Sequence, residues 1–60
     1  MDEMTELKFS LETELEHLKD RLKKTASAIG FFTSEAQWVE KMNGLCSAIS
    51  YIETRLREEF

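Results

Sequence analysis

The chain has 60 residues, a formal net charge of −4, one cysteine and no proline. A chain this short forms one small domain at most, and a single cysteine excludes an internal disulfide. One thiol, an acidic N-terminus and the lack of a long apolar segment predict a soluble, cytoplasmic protein without a membrane-bound part.

The first predicted helix runs from about residue 3 to residue 29. Its apolar residues recur at intervals of three and four, so they lie on one narrow stripe. The stripe consists of Met4, Leu7, Leu11, Leu15, Leu18, Leu22, Ala26 and Ile29. Acidic residues begin this segment and basic residues end it, as the helix dipole prefers. Gly30 follows the stripe, and we expect it to end the helix in the left-handed conformation.

The second predicted helix runs from about residue 34 to residue 58, after a turn at residues 30–33. Ser34 and Gln37 have the spacing of a capping box, in which each side chain bonds the other residue's backbone N–H. An apolar seam with heptad spacing follows. It consists of Trp38, Met42, Leu45, Ile49, Ile52 and Leu56. Asn43 and Gly44 interrupt the helical composition, and a three-helix chain broken there is the alternative.

Together the two segments predict an all-α fold, an antiparallel two-helix hairpin that forms a single domain over residues 1–60. Matching the stripes predicts a register in which facing residues have numbers that sum to about 63. In this register Leu18 faces Leu45, and the small Ala26 faces the large Trp38. The acidic start of the first helix then lies near Arg55 and Arg57.

Self-assembly is the next expectation, because two helices alone cannot enclose each other's apolar faces. The second helix carries no charged residue from Met42 to Ile52. We therefore predict that it lies inside a homodimeric helical bundle, whereas an uncharged but solvated face on a monomer is the alternative. The predicted self-interface consists of Met42, Gly44, Leu45, Cys46, Ala48, Ile49, Tyr51 and Ile52.

Two further surfaces are candidates for partner binding. Phe9 and Phe60 lie off the stripes and, with Tyr51, are predicted to gather at the open end of the hairpin as a patch for a protein partner. The basic cluster at residues 19–24 would be the contact of a nucleic-acid-binding hairpin. The acidic net charge argues against that reading, and basic residues also suit the last turns of a helix.

The sequence predicts neither catalysis nor metal binding. Cys46 is its only cysteine and is predicted to lie at the edge of the apolar face, as a small inert hydrophobe. Glu14 and His17 have the Glu-x-x-His spacing of carboxylate-bridged metal sites, but the pattern points His17 away from the stripe. We predict no enzyme activity, no catalytic residue, no metal site and no cofactor.

As a whole, the chain resembles the small helical proteins of the exo-xis region of lambdoid bacteriophages. The resemblance extends from Met4-Thr5-Glu6-Leu7-Lys8-Phe9 through Ile29-Gly30-Phe31-Phe32. It implies an early-expressed accessory protein of the bacterial host cytoplasm that affects host growth or the decision between lysis and lysogeny. Its partner would then be a host or phage protein. A purely structural dimerisation module is the alternative function.

Overall fold

Two long helices make up the chain in a computed structural model that describes residues 2–60. Helix α1 spans Glu3–Ala26 and helix α2 spans Glu35–Glu59. The short segment between them, residues 27–34, turns the chain back so that α2 packs against α1 along an antiparallel course. The predicted all-α fold of two packed helices is therefore confirmed.

Side chains cap both helix starts. The Asp2 carboxylate accepts a hydrogen bond from the Thr5 N–H at 2.8 Å, and the Ser34 hydroxyl accepts one from the Gln37 N–H at 3.2 Å. Each bond satisfies a backbone donor that has no partner within the first turn. The Ser34 half of the predicted capping box is confirmed. The Gln37 side chain makes no return bond among the hydrogen bonds of the described residues.

The end of α1 corrects two predictions. The helix stops at Ala26 instead of residue 29, and a 3₁₀ turn over Ile29–Phe31 follows. Bonds between residues three apart hold this turn, from the Ala28 N–H to the Thr25 carbonyl at 3.0 Å and from the Phe31 N–H to the Ala28 carbonyl at 2.9 Å. Gly30 lies within the turn without a positive φ, so the left-handed cap prediction was wrong. Tightening into a 3₁₀ turn satisfies the helix end instead.

Helix α2 is continuous through Asn43 and Gly44, so the three-helix alternative is wrong. A glycine in a helix interior costs about 1 kcal/mol relative to alanine. The seam keeps its phase on both sides of this position, and burial of Leu45 and Ile49 next to it offsets the local cost.

The core is small and lies in the middle of the hairpin. Among the described residues four side chains are buried, namely Leu18 of α1 and Leu45, Ile49 and Ile52 of α2. Half-buried residues pack around them, and these are Leu11, Leu15, Leu22, Ala48 and Leu56.

One hydrogen bond ties the two helices together near the turn. The Trp38 indole N–H donates to the Thr25 carbonyl at 2.8 Å. The two residue numbers sum to 63, in agreement with the predicted register. Ala26, the predicted neighbour of Trp38, is exposed instead.

Coverage of the α1 stripe is incomplete. Met4 and Leu7 at its start are exposed, and so is Ile29, which lies beyond the end of the helix. Both ion pairs of residues 2–60, Asp20 with Lys24 and Arg55 with Glu59, join residues of one helix. Within residues 2–60 the acidic residues that begin α1 therefore make no ion pair with Arg55 or Arg57, and their predicted proximity stays a prediction.

Candidate interaction surface

One side of α2 carries a line of residues that we call the α2 flank, consisting of Gly44, Ala48, Tyr51 and Arg55. Their spacing of four, three and four places them on the same side of a helix. Gly44 and Tyr51 are exposed, and Ala48 and Arg55 are half-buried. The flank runs beside the buried seam from the closed end of the hairpin, at residues 27–34, toward the open end at Asp2 and Phe60.

Tyr51, Arg55 and Glu59 form a chain of side-chain contacts along this flank. The Arg55 guanidinium lies 5.9 Å from the centre of the Tyr51 ring. It also donates to a Glu59 carboxylate oxygen from Nε at 3.3 Å and from Nη2 at 3.1 Å. The hydrogen bond to Glu59 and its negative charge raise the pKa of Arg55. The bonds to Glu59 hold the Arg55 guanidinium in place beside the Tyr51 ring.

Arg55 was not among the residues predicted for the interface. Its signal was present in the spacing, because residues four apart on a helix are neighbours and Tyr51, Arg55 and Glu59 repeat at that interval. Because the interface was predicted from the absence of charged residues, Arg55 was missed.

A groove opens on the closed-end side of the flank, next to Gly44. It is lined by Phe32, Gln37, Glu40, Lys41, Gly44 and Leu45. A Cβ built on Gly44 would meet no atom within 4 Å. The absence of a side chain at Gly44 is therefore not required by packing within the hairpin, and the groove has room for a side chain from outside.

The eight residues of the predicted self-interface divide into three groups. Leu45, Ile49 and Ile52 are buried in the hairpin's own core and are not free to contact another molecule. Gly44, Ala48 and Tyr51 belong to the α2 flank. Met42 is a half-buried member of the seam, and Cys46 is exposed on the side of the seam away from the flank. The predicted set thus covers more than one face of α2, and the interface itself stays a prediction.

The three residues of the predicted partner patch are all exposed. Phe9 is 66% exposed, Tyr51 63% and Phe60 40%. Phe9 lies on the side of α1 nearly opposite the stripe, whereas Tyr51 lies on the flank of α2, by the 100° per residue of a helix. Exposure alone does not join the three residues into one surface, so the patch stays a prediction.

The closed end exposes both basic and apolar side chains. Lys19, Arg21, Lys23 and Lys24, the predicted nucleic-acid contact, are all exposed. Phe31 was predicted only as part of the turn at residues 30–33. It is 92% exposed at the tip of the hairpin. No finding bears on nucleic-acid binding, which stays an alternative.

Cys46, His17 and Glu14 are the residues on which the prediction of no catalytic or metal site depends. Cys46 is exposed rather than at a covered edge, so the prediction that it acts as a core hydrophobe was wrong. His17 and Glu14 are exposed and face away from the core, as predicted. Across residues 2–60, no group of three or more His, Cys, Asp or Glu side chains is placed to hold a metal ion.

Neither helix in the described part of the chain has the length and apolar character needed to cross a bilayer. No family model matches the chain, and no curated protein or solved structure is significantly similar to it. The phage resemblance therefore stays a prediction, and the case for a function rests on the surface geometry.

Proposed function

We propose that this chain is a non-enzymatic helical interaction module that works as a homodimer of hairpins. The observation that carries the proposal is the small core, because only four side chains of residues 2–60 are buried and none of them is almost fully enclosed. Domains of this size depend on every apolar contact, and those lacking disulfides or metals commonly gain stability by assembly.

The shape of the hairpin supports assembly. Its accessible surface is 4667 Å², whereas a compact monomer of 7.0 kDa would expose about 4,000 Å². Its radius of gyration is 14.1 Å, compared with about 10 Å for a compact chain of this length. The extra surface comes from a single layer of two helices, and pairing two such layers would form a four-helix bundle.

The α2 flank is the surface that we assign to the dimer. Its small residues Gly44 and Ala48 allow close approach of another helix. Tyr51 and Arg55 are residue types that contribute strongly to protein interfaces. The groove beside Gly44 continues this surface toward the closed end.

Light scattering coupled to size-exclusion chromatography tests the proposal over a range of concentrations. We expect a mass near twice 7.0 kDa that falls toward the monomer on dilution. Gly44→Glu places a charge in the groove at a position where a Cβ meets nothing within the hairpin. It should therefore preserve the helix and abolish the dimer.

Ser10→Glu is the matched control, because it adds the same charge to an exposed position of α1. This variant should remain dimeric. A wild-type mass of 7.0 kDa at every concentration would overturn the proposal. Equal loss of the dimer in both variants would show that net charge, and not the α2 flank, controls association.

A regulatory role through a second protein is the finer proposal. The strong exposure of Phe9 supports it, because this residue lies away from the α2 flank and stays uncovered in the proposed dimer. The resemblance to phage accessory proteins suggests a host or phage protein as the partner. Phe9→Ala should leave the mass in solution unchanged and weaken recovery of the partner, whereas unchanged recovery would favour a purely structural module.

A further inference from the structure

We infer that the two hairpins of the dimer lie antiparallel, with Tyr51 of each copy seated beside Gly44 of the other. The inference rests on the proposed homodimer and deepens it, since it specifies which residues meet. Its basis is that the α2 flank is complementary to itself in one orientation only.

The shape of the α2 flank favours the antiparallel arrangement. Gly44 and Tyr51 lie at nearly equal distances on either side of the middle of α2, which spans Glu35–Glu59. A twofold axis perpendicular to the helix at its middle therefore brings Tyr51 of one copy to the groove beside Gly44 of the other. A parallel dimer would instead place the two Tyr51 side chains against each other. The groove beside Gly44 would then face the same groove of the other copy and stay unfilled.

Charge on the flank agrees with this arrangement. The same axis brings Arg55 of one copy to Glu40 of the other, and Glu40 lines the groove beside Gly44. Within one hairpin these two residues are fifteen positions apart on α2, about 22 Å along the helix, so they cannot pair there. Since Arg55 already lies over the Tyr51 ring, both would enter the groove together.

The overall charge distribution gives an independent argument. The closed-end half, residues 19–44, carries five basic and three acidic side chains, a net charge of +2. The rest of the chain carries three basic and nine acidic side chains, a net charge of −6. An antiparallel dimer places the positive half of each copy beside the negative half of the other. A parallel dimer places like charges together, which disfavours that orientation.

A charge exchange between positions 40 and 55 tests the contact by concentration-dependent light scattering. Glu40→Arg and Arg55→Glu should each weaken the dimer, by roughly fivefold in the dissociation constant. The double variant should recover most of the wild-type affinity. Because the two residues are too far apart to interact within one hairpin, such recovery would come from contact between copies. Single variants that dimerise as well as the wild type would overturn the inference.

The orientation is measured directly by the distance between spin labels at the closed end. Thr33→Cys in a Cys46→Ser background puts one label on each copy at an exposed turn residue. An antiparallel dimer should give a distance near 40 Å, approaching the 45 Å length of the hairpin. A distance below about 25 Å, on the order of two helix diameters, would show a parallel dimer. That result would overturn the orientation while leaving the proposed homodimer intact, whereas a monomeric mass would overturn both.

Discussion

Trp38 at the start of α2 bonds the last turn of α1 through the Thr25 carbonyl, with 2.8 Å between the indole nitrogen and the carbonyl oxygen. The same carbonyl accepts the Ala28 N–H at 3.0 Å, so both of its lone pairs have partners. One oxygen therefore joins the end of α1, the 3₁₀ turn and α2.

Replacing Trp38 by phenylalanine should lower the free energy of unfolding by about 1 kcal/mol from the lost hydrogen bond, with a further loss from reduced packing. Thermal melting followed by circular dichroism measures the change. A second variant at the same position, Trp38→Leu, also lacks the hydrogen-bond donor and should lose at least as much stability. A phenylalanine variant as stable as the wild type would show that the bond contributes nothing.

Deletion of the central core leucine should have the largest effect of any single truncation. Leu18 is 6% exposed, and Leu18→Ala should cost about 2–5 kcal/mol through lost burial and the cavity left behind. Leu7→Ala removes the same atoms from an exposed position of α1 and serves as the control. Both are compared by urea unfolding at one protein concentration, because the proposed dimerisation would make stability depend on concentration. Equal losses would contradict the observed position of the core.

Gly30 should accept a side chain. Its φ is not positive, and a Cβ built on it meets no atom within 4 Å. Gly30→Ala should therefore stabilise the hairpin by about 0.4–1 kcal/mol, because alanine restricts the unfolded chain more than glycine does. Thermal melting gives the sign of the change. A loss of stability would indicate the left-handed conformation that the sequence suggested.

The first turn of α1 should respond to acid. Hydrogen bonding from the Thr5 backbone N–H lowers the pKa of the Asp2 carboxyl. A depressed folded-state pKa means that the stabilising contribution is present above the unfolded-state value and is lost as pH falls through the folded-state value. The Thr5 amide resonance in NMR spectra should therefore shift as the pH falls below the usual range for aspartate. In Asp2→Asn, which keeps an acceptor but cannot titrate, that shift should disappear.

Much of the fold was predictable from the sequence, because the helices follow from local periodicity and capping. The apolar seam and the Ser34 cap placed α2 within one residue of its observed bounds at each end. The end of α1 was not predictable in the same way. A glycine after a helix fits both a left-handed cap and a 3₁₀ turn, and the local sequence does not distinguish them.

The candidate site was less predictable than the fold. Absence of charge singled out one stretch of α2, but it does not separate residues that face α1 from residues that face outward. Leu45 and Ile49 share this uncharged stretch with Gly44 and Tyr51, and only the packing of the two helices assigns the first pair to the core. The role of Arg55 depends on side-chain geometry that composition does not encode.

The unequal ends of the hairpin have a consequence for how it opens. The first eight residues of α1, from Glu3 to Ser10, are all exposed, whereas the closed end is bonded through Trp38. Separation of α1 from α2 should therefore begin at the open end and move toward the turn. Trp38 is the only tryptophan, so its fluorescence reports the last step of opening. The wavelength of maximum emission should keep its native value through the temperatures at which helix content first declines, and the hairpin would then melt as a zipper instead of in one concerted step.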